Sequence, residues 1–201
     1  MTNTPKNSGF ARVGIVAAAW LLIVVVTNLV MAEQKQSTSK EDISSAAFLK
    51  VYKVLQHPRC MNCHPAGHIP LQGDNSVAHN MRVKGGKDGK GIPGMKCMTC
   101  HQTQNVTGKR TPPGAPNWHL PHPDMPLVFQ GKTPAELAKQ LKDPKTNGNK
   151  TLEQILHHVS HDPLVLWGWK PGEGRTAPSI SHKEFVKQMK IWIDNGAVVP
   201  K

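Results

Sequence analysis

The sequence CMNCH occupies residues 60–64, and the sequence CMTCH occupies residues 97–101. Both follow the pattern Cys-Met-x-Cys-His, and each comes directly after a basic residue, Arg59 or Lys96. Together they contain all four cysteines of a chain of 201 residues. Because every cysteine falls in one of two identical frames, each closed by a histidine, the pattern indicates two copies of one kind of binding site.

The Cys-x-x-Cys-His pattern is typical of covalent attachment of c-type haem. Two thiols that add to the two vinyl groups on one edge of a porphyrin must lie about one helical turn apart. The histidine that follows then lies beside the ring and can bind the iron. The sequence therefore predicts two covalently attached haem c groups. The predicted anchors are Cys60, Cys63, Cys97 and Cys100, and the predicted proximal iron ligands are His64 and His101.

Two other uses of the cysteines explain less of the pattern. Disulfides are common in exported chains, but two disulfides would leave both histidines without a role. Two Cys-x-x-Cys pairs can also build a zinc site, but zinc does not need a histidine at the same place after each pair. The repeated pentapeptide therefore favours haem.

The N-terminal residues 1–32 have the layout of an export signal. Lys6 and Arg12 supply positive charge, and residues 13–32 form a run without an ionisable side chain that ends at the small residue Ala32. One interpretation is a signal peptide cleaved after this alanine. The other is an uncleaved anchor, since about 20 apolar residues can span a bilayer. Both predict export to a bacterial periplasm, either soluble after cleavage or anchored to the inner membrane.

The chain is strongly basic, with a formal net charge of +12. Such a charge favours acidic partners. Nucleic acid is not expected as a partner, because the chain is predicted to be exported and has no nucleic-acid-binding motif. The sequence predicts instead an acidic redox protein as partner. The basic residues that bracket the second pentapeptide are interpreted either as a surface that attracts this partner or as a solvated loop without such a role. These residues are Arg82, Lys84, Lys87, Lys90, Lys96, Lys109 and Arg110.

The whole chain after the predicted export signal resembles a group of small exported dihaem proteins that includes subunits named for isoquinoline 1-oxidoreductase. The resemblance rests on HPRCMNCHPAG (57–67), LQGD (71–74), GAPNWHLP (114–121), VFQGKTPAELAKQLKDP (128–144) and HDPLVLWGWKPGEGR (161–175). It implies a c-type cytochrome that serves as the electron-transfer subunit of an exported dehydrogenase. It further implies a molybdenum-containing hydroxylase as the electron donor.

The predicted fold class is mainly α, with a few helices and long irregular loops wrapped around two haems. Residues 33–39 are polar and are predicted to form a flexible linker, and residues 40–201 are predicted to form one domain. A helix is predicted from about Lys40 to Gln56, with Ser39 as its cap. Its expected buried face comprises Ile43, Ala47, Val51, Val54 and Leu55.

Three later helices are predicted from capping patterns. Thr133, Thr151 and Ser181 are each followed three residues later by Glu or Gln, which is typical of a helix N-terminus. The first two helices are expected to end at the Asp-Pro pairs that begin at Asp143 and Asp162. The third is expected to end at residues 195–196, Asn-Gly.

Each iron has one further coordination position, and its occupant matters for function. A histidine there keeps the reduction potential low, a methionine raises it, and an open position permits chemistry on a small ligand. The sequence favours histidine for both irons. His79 and His119 are the first candidates, because the former lies between the two motifs and the latter is flanked by Trp118 and Leu120-Pro121. The other candidates are His158 and His161, with Met125 if one iron takes methionine.

Electron transfer is the function that these features predict, since two covalently held haems in a small exported chain need no organic substrate. The chain is expected to be an electron carrier or subunit rather than an enzyme. The alternative is a haem enzyme whose open iron site reduces a small molecule such as peroxide. Trp118 and the LWGW sequence of residues 166–169 are candidates to wall such a site.

Overall fold

The computed structural model describes the backbone of residues 10–201 and the side chains of residues 26–201 apart from Thr38. Residues 1–9 of the predicted signal or anchor segment lie outside the described residues, as do the side chains of residues 10–25. Among residues 26–201, whose side chains are described, no helical stretch has the length and apolar character needed to cross a membrane. The chain divides into two compact units, Met1–Asp42 and Ile43–Lys201.

Helix α1 is longer than the sequence predicted, because it spans Phe10–Leu55 without a break. The helix passes through residues 33–39, where a linker was predicted, and through Ser39, which was predicted to be its cap. No glycine or proline lies between Gly14 and Pro58. Residues 33–36 are Glu, Gln, Lys and Gln, all of which are good helix formers. The polar composition of this segment therefore indicated solvent exposure, not the end of a helix.

The buried face of α1 differs from the predicted one at Ile43, and it also includes Ser44 and Phe48, which were not predicted. Ala47, Val51, Val54 and Leu55 are buried as predicted, but the side chain of Ile43 is 47% exposed. Ser44 is fully buried in its place. The Ser44 hydroxyl donates to the Trp192 carbonyl oxygen (2.9 Å) and accepts from the Val198 amide (3.0 Å). These two bonds satisfy a polar side chain that a hydrophobic pattern would place at the surface.

The three helices predicted from capping patterns are confirmed. Helix α3 spans Pro134–Lys142 and α4 spans Leu152–His161, and both begin with a complete capping box. Helix α6 spans His182–Asp194, and its Ser181 hydroxyl accepts from the Glu184 amide. These signals are local, because each cap satisfies backbone amides within its own first turn. They could therefore be read without knowledge of the tertiary structure.

Several short elements complete the fold. Helix α2 spans Pro58–Met61 and α5 spans Pro163–Trp167, while Asn80–Arg82 and Cys97–Thr99 form single 3₁₀ turns. Two antiparallel hairpins pair β1 (Leu71–Gln72) with β2 (Val77–Ala78), and β3 (Gly91–Ile92) with β4 (Met95–Lys96). Helix α5 and both hairpins were missed by the sequence analysis, because elements of two to five residues are too short to show a hydrophobic period.

The core lies within the unit Ile43–Lys201. Helix α4 packs against α3, α5 and α6, and the C-terminal part of α1 contributes Phe48, whose ring lies 4.7 Å from that of Trp192. Helix α6 buries Phe185, Met189 and Trp192 in this core, while Ile193 is half-buried against it. Cys60 packs against the edge of this cluster, so the core supports the first pentapeptide directly.

Candidate haem-binding sites

The first pentapeptide is carried on α2. Pro58 stands in the first turn, and the His57 ring nitrogen Nδ1 accepts from the Arg59 amide (3.2 Å) to cap the helix. The Cys63 amide donates to the Cys60 carbonyl oxygen (3.1 Å). This turn holds the two half-buried thiols about one helical turn apart, as attachment to one porphyrin edge requires.

The second pentapeptide follows a hairpin and forms a tighter turn. The Cys100 amide (3.2 Å) and the His101 amide (2.9 Å) both donate to the Cys97 carbonyl oxygen. Cys97 is half-buried and Cys100 is exposed. The structure thus brings each Cys-x-x-Cys pair into one turn by a different local route, helix α2 in the first case and a 3₁₀ turn after β4 in the second.

Burial has a strong effect on the two thiols of the first motif. It is the main cause that raises the pKa of Cys60 to about 12 and that of Cys63 to about 11. All four cysteines are free in the structure, so each sulfur is available to bond to another group.

Both motif histidines make the same kind of hydrogen bond. The His64 Nδ1 lies 2.6 Å from the Leu127 carbonyl oxygen, and the His101 Nδ1 lies 2.7 Å from the Pro113 carbonyl oxygen. A carbonyl oxygen can only accept, so Nδ1 carries the proton in both rings and Nε2 keeps its lone pair. A metal-binding histidine is commonly oriented in this way by a backbone carbonyl. The residues present therefore fit a haem iron bound through each Nε2.

Burial keeps both of these rings neutral. It lowers the pKa of His64 to about 4, against the hydrogen bond to Leu127, which raises it. Burial also lowers the pKa of His101, again against a backbone hydrogen bond that raises it. A neutral imidazole is the form that binds a metal, so both rings are ready to act as ligands at physiological pH.

An aromatic ring stacks on each motif histidine, a feature that the sequence analysis did not predict. Phe129 stacks on His64 with ring centroids 3.9 Å apart, and Trp118 stacks on His101 at 4.3 Å with 6° between the planes. Trp118 lies in the stretch GAPNWHLP and Phe129 in the stretch VFQGKTPAELAKQLKDP, both of which contributed to the resemblance. Their contacts cross irregular loops, however, so spacing alone could not show them.

The segment that carries Trp118 and His119 is fixed beside the second motif through Gly89. The Leu120 amide donates to the Gly89 carbonyl oxygen (2.9 Å). Gly89 has φ +73°, and a Cβ atom there would overlap the Leu120 carbonyl oxygen. Only glycine permits this close approach without strain. The contact thus determines where both Trp118 and His119 lie.

Of the distal candidates, His79 is the one that the structure places against the second motif. Its ring centroid lies 6.1 Å from that of His101, with 59° between the planes. Its Nδ1 lies 2.6 Å from the Asn80 carbonyl oxygen, so its Nε2 also keeps a lone pair.

The rings of His119 and His158 pair with neither motif histidine among the described residues, whose ring contacts there involve Phe129, Trp118 and His79. The His119 Nδ1 lies 2.5 Å from the Asn117 carbonyl oxygen, which leaves its Nε2 with a lone pair. The His158 Nδ1 lies 3.4 Å from the Asp162 carboxylate.

His161 and Met125 are engaged elsewhere. The His161 ring stacks on that of His157 with centroids 4.5 Å apart, and its Nδ1 lies 3.1 Å from the His157 carbonyl oxygen. The Met125 sulfur accepts from the Gly148 amide (2.8 Å). His161, His157 and His158 all line an open cleft of about 890 Å³ on the exposed side of α4. The structure therefore does not bring His161 or Met125 against either motif histidine.

Two tryptophans and an arginine connect the two motifs. Trp118, which stacks on His101, also meets Trp167 edge to face at 4.9 Å. The Arg59 guanidinium carbon lies 5.9 Å from the Trp167 ring centroid, and Arg59 is bonded to Cys60 in the chain. A series of contacts therefore runs from His101 through the two tryptophans to Arg59, the residue before Cys60. We call Trp118 and Trp167 the tryptophan bridge.

Arg59 is a buried cation beside the first motif. Its side chain is only 2% exposed and forms a 2.6 Å ion pair with Asp74. It also donates to the Gly73 carbonyl oxygen (3.0 Å), as does the Asn62 side chain (2.9 Å). These contacts tie α2 to the LQGD segment that forms β1 and its turn. In the sequence, residues 71–74 were noticeable only as part of the resemblance to exported dihaem proteins.

Among the described residues, no three His, Cys, Asp or Glu side chains are grouped as they would be around one metal ion. The chain matches no model of a known protein family. It also matches no curated protein sequence and no solved structure. The resemblance to exported dihaem proteins therefore stays a prediction.

Proposed function

We propose that the chain is an exported dihaem c-type cytochrome that carries electrons between redox partners. The observation that carries this proposal is the shared orientation of His64 and His101. Both rings donate through Nδ1 to a backbone carbonyl and keep Nε2 for a metal, at 2.6 Å and 2.7 Å. Because the two motifs reach this arrangement through different local structures, a common chemical requirement is the simplest explanation.

The cysteines have a direct role in this proposal. Each of Cys60, Cys63, Cys97 and Cys100 would add its sulfur to one carbon of a vinyl group, while the thiol proton goes to the neighbouring carbon. No oxidant is needed, and the product is a neutral thioether. The raised pKa values of Cys60 and Cys63, caused mainly by burial, fit a neutral sulfur at these positions.

The haem iron, when bound, supplies reversible one-electron oxidation and reduction. The protein's part is to hold each proximal imidazole in place and to limit its contact with water. Phe129 does this at His64, and Trp118 does it at His101. The tryptophan bridge gives the two sites a packed connection, which supports exchange of electrons between them.

The expected partner is an acidic redox protein or a dehydrogenase subunit, with a molybdenum-containing hydroxylase as one such donor. All seven basic residues predicted to attract it are exposed. We call these residues, Arg82, Lys84, Lys87, Lys90, Lys96, Lys109 and Arg110, the basic collar. Only Lys96 has a nearby carboxylate among the ion pairs of the described residues, at 3.6 Å from Asp88. The collar can therefore steer a negatively charged partner to the second site.

The proposed location is a bacterial periplasm. The protein is either soluble after cleavage of its leader or attached to the inner membrane through its N-terminal segment. The electron-transfer role needs no nucleic acid and no organic substrate.

An enzyme that reduces a small molecule such as peroxide is the alternative. One observation favours it. A small cavity of about 50 Å³ lies beside the first motif, lined by Cys63, His64, Leu120, Pro121 and Leu127 among others. If the first iron kept an open position, a small ligand could reach it here.

Optical spectra distinguish the two functions. The full chain is produced with a c-type maturation system, and spectra are recorded oxidised and reduced, with and without carbon monoxide or cyanide. Two low-spin haems per chain that bind neither ligand support electron transfer. A high-spin component that shifts when ligand is added supports the enzyme instead. A folded protein without haem absorption contradicts both.

A further inference from the structure

Two histidines from separate segments approach each other beside the second pentapeptide. His79 and His101 are 22 positions apart in the chain, and their ring centroids lie 6.1 Å apart. A histidine nitrogen lies about 2 Å from a metal that it binds, and the ring centroid lies about 1 Å further away, so two imidazoles on opposite sides of one metal place their centroids about 6 Å apart. The observed separation matches this value. Direct stacking gives a shorter one, such as the 4.3 Å between His101 and Trp118.

The hydrogen bonds of both rings suit this arrangement. The His79 Nδ1 lies 2.6 Å from the Asn80 carbonyl oxygen, and the His101 Nδ1 lies 2.7 Å from the Pro113 carbonyl oxygen. In the neutral rings both protons are therefore on Nδ1, and both Nε2 atoms carry lone pairs. Two such atoms cannot hydrogen-bond to each other, because neither has a proton to donate. A metal between them would satisfy both.

The backbone around His79 is held by side-chain and main-chain bonds. The His79 amide donates to the Pro70 carbonyl oxygen, and the Asn80 amide donates to the Gln72 side chain, both at 2.9 Å. The β1–β2 hairpin therefore fixes the position of this histidine. The Leu71 amide in turn donates to the Asn62 carbonyl oxygen (2.9 Å), which connects the hairpin to the first pentapeptide.

We propose that His79 is the second axial ligand of the iron that His101 binds. This inference rests on the proposed function, because it requires a haem at the second pentapeptide. Of the five sequence-based candidates, His79 is the one whose ring pairs with that of His101 among the described residues. A haem bound at the second pentapeptide would then be held by one histidine from the motif and by one from the segment that follows the β1–β2 hairpin.

Replacement of His79 tests this directly. In the full, matured chain, His79→Ala should keep two covalently bound haems but open one iron. One of the two haems should then become high-spin and bind carbon monoxide. The control is His122→Ala, which removes an exposed histidine that lies 3.7 Å from Asp124. This variant should keep the wild-type spectrum.

A second variant keeps the test decisive if His79→Ala does not fold. His79→Met offers the iron a different ligand of similar reach. It should keep both haems low-spin, introduce a sulfur-to-iron charge-transfer band, and raise the reduction potential of one haem. The site is identified in a Cys97→Ala/Cys100→Ala background, which keeps only the first haem. There, His79→Ala should cause no further spectral change.

The outcomes separate this inference from the proposed function. A wild-type chain without covalent haem overturns the proposed function. A wild-type chain with two haems, together with a folded His79→Ala variant that stays low-spin and does not bind carbon monoxide, overturns only the assignment of His79. So does a His79→Met variant with wild-type potentials. A spectral change that persists in the first-haem-only background places His79 at the other iron and also overturns the assignment.

Discussion

The Trp118 indole lies parallel to the His101 imidazole, with 4.3 Å between ring centroids and 6° between planes. The edge of the same imidazole is fixed by the Pro113 carbonyl oxygen, 2.7 Å from Nδ1. The His101 ring is therefore held both by stacking and by a hydrogen bond. The indole also begins the tryptophan bridge towards the first motif.

Loss of this stack should affect one haem more than the other. Trp118→Leu should lower the free energy of unfolding of the holoprotein by about 1–2 kcal/mol, the range expected when an aromatic pair is lost at a half-buried site. Water that reaches His101 should stabilise the oxidised iron and lower the potential of the second haem. Redox titration and urea denaturation measure the two effects. Trp118→Phe keeps an aromatic ring and should give smaller changes in both, while two unaltered potentials in Trp118→Leu would contradict this role.

Ser44 should matter for stability although it is a small polar residue. Its hydroxyl is fully buried and bridges the Trp192 carbonyl and the Val198 amide. Ser44→Ala leaves both backbone groups without this partner and should cost about 1–3 kcal/mol in the free energy of unfolding. Urea denaturation followed by circular dichroism measures it. The neighbouring Ser45→Ala is the matched control, and equal stability of the two variants would refute the role of this bridge.

The ion pair between Arg59 and Asp74 should make stability depend on pH in the acid range. Burial alone would raise the pKa of Asp74, but hydrogen bonds from Thr176 and the charge of Arg59 lower it below its usual range. A lowered folded pKa means that the unfolded state binds the proton more tightly. The carboxylate therefore contributes stability above the unfolded value of about 3.9, and this contribution is lost as pH falls through the lower folded value.

Asp74→Asn should accordingly be less stable than wild type by about 1–2 kcal/mol at about pH 6, a value reduced because the carboxylate is partly exposed. The difference should shrink at about pH 3. Urea denaturation of the holoprotein at both pH values checks this. Asp124→Asn removes a carboxylate that is 90% exposed and should behave like wild type. A difference of the same size at both pH values would show that ionisation of Asp74 is not its source.

The basic collar should control association with an acidic partner. Reversal of charge in Lys84→Glu/Lys87→Glu/Lys90→Glu should slow electron transfer to a negatively charged redox protein about tenfold or more at low ionic strength. The effect should fade as salt is added, because the Debye length shortens. Stopped-flow mixing measures the rate. Lys139→Glu/Lys142→Glu alters exposed lysines on α3 outside the collar, and an equal loss of rate in that control would remove the case for a localised docking site.

Local signals predicted much of the fold. Thr133, Thr151 and Ser181 marked three helices, because a cap and its first turn form one short-range unit. The start of α1 could not be placed in this way. Ser39 is a residue type that often caps helices, but no glycine or proline lies between Gly14 and Ser39 to end the helix that precedes it. Ser44 was missed for a different reason, because its two hydrogen-bond partners are about 150 positions away.

In the candidate site, too, the sequence revealed the residues with a fixed local spacing and not the contacts between distant segments. The cysteines and the motif histidines could be found because attachment chemistry fixes their spacing. The carbonyl partners of His64 and His101 could not, because Leu127 and Pro113 reach them across irregular loops. The same applies to the second ligands. The sequence named His79 among five candidates, and only the folded β1–β2 hairpin places its ring opposite His101.

The most direct test of the central claim is the mass of the matured chain after denaturation, measured by intact mass spectrometry. The account predicts the polypeptide mass plus two haem groups that survive unfolding. It predicts the loss of one group from Cys60→Ala/Cys63→Ala and of the other from Cys97→Ala/Cys100→Ala, with no loss from Met61→Ala or Met98→Ala. A chain that carries no covalent haem after maturation would contradict the account.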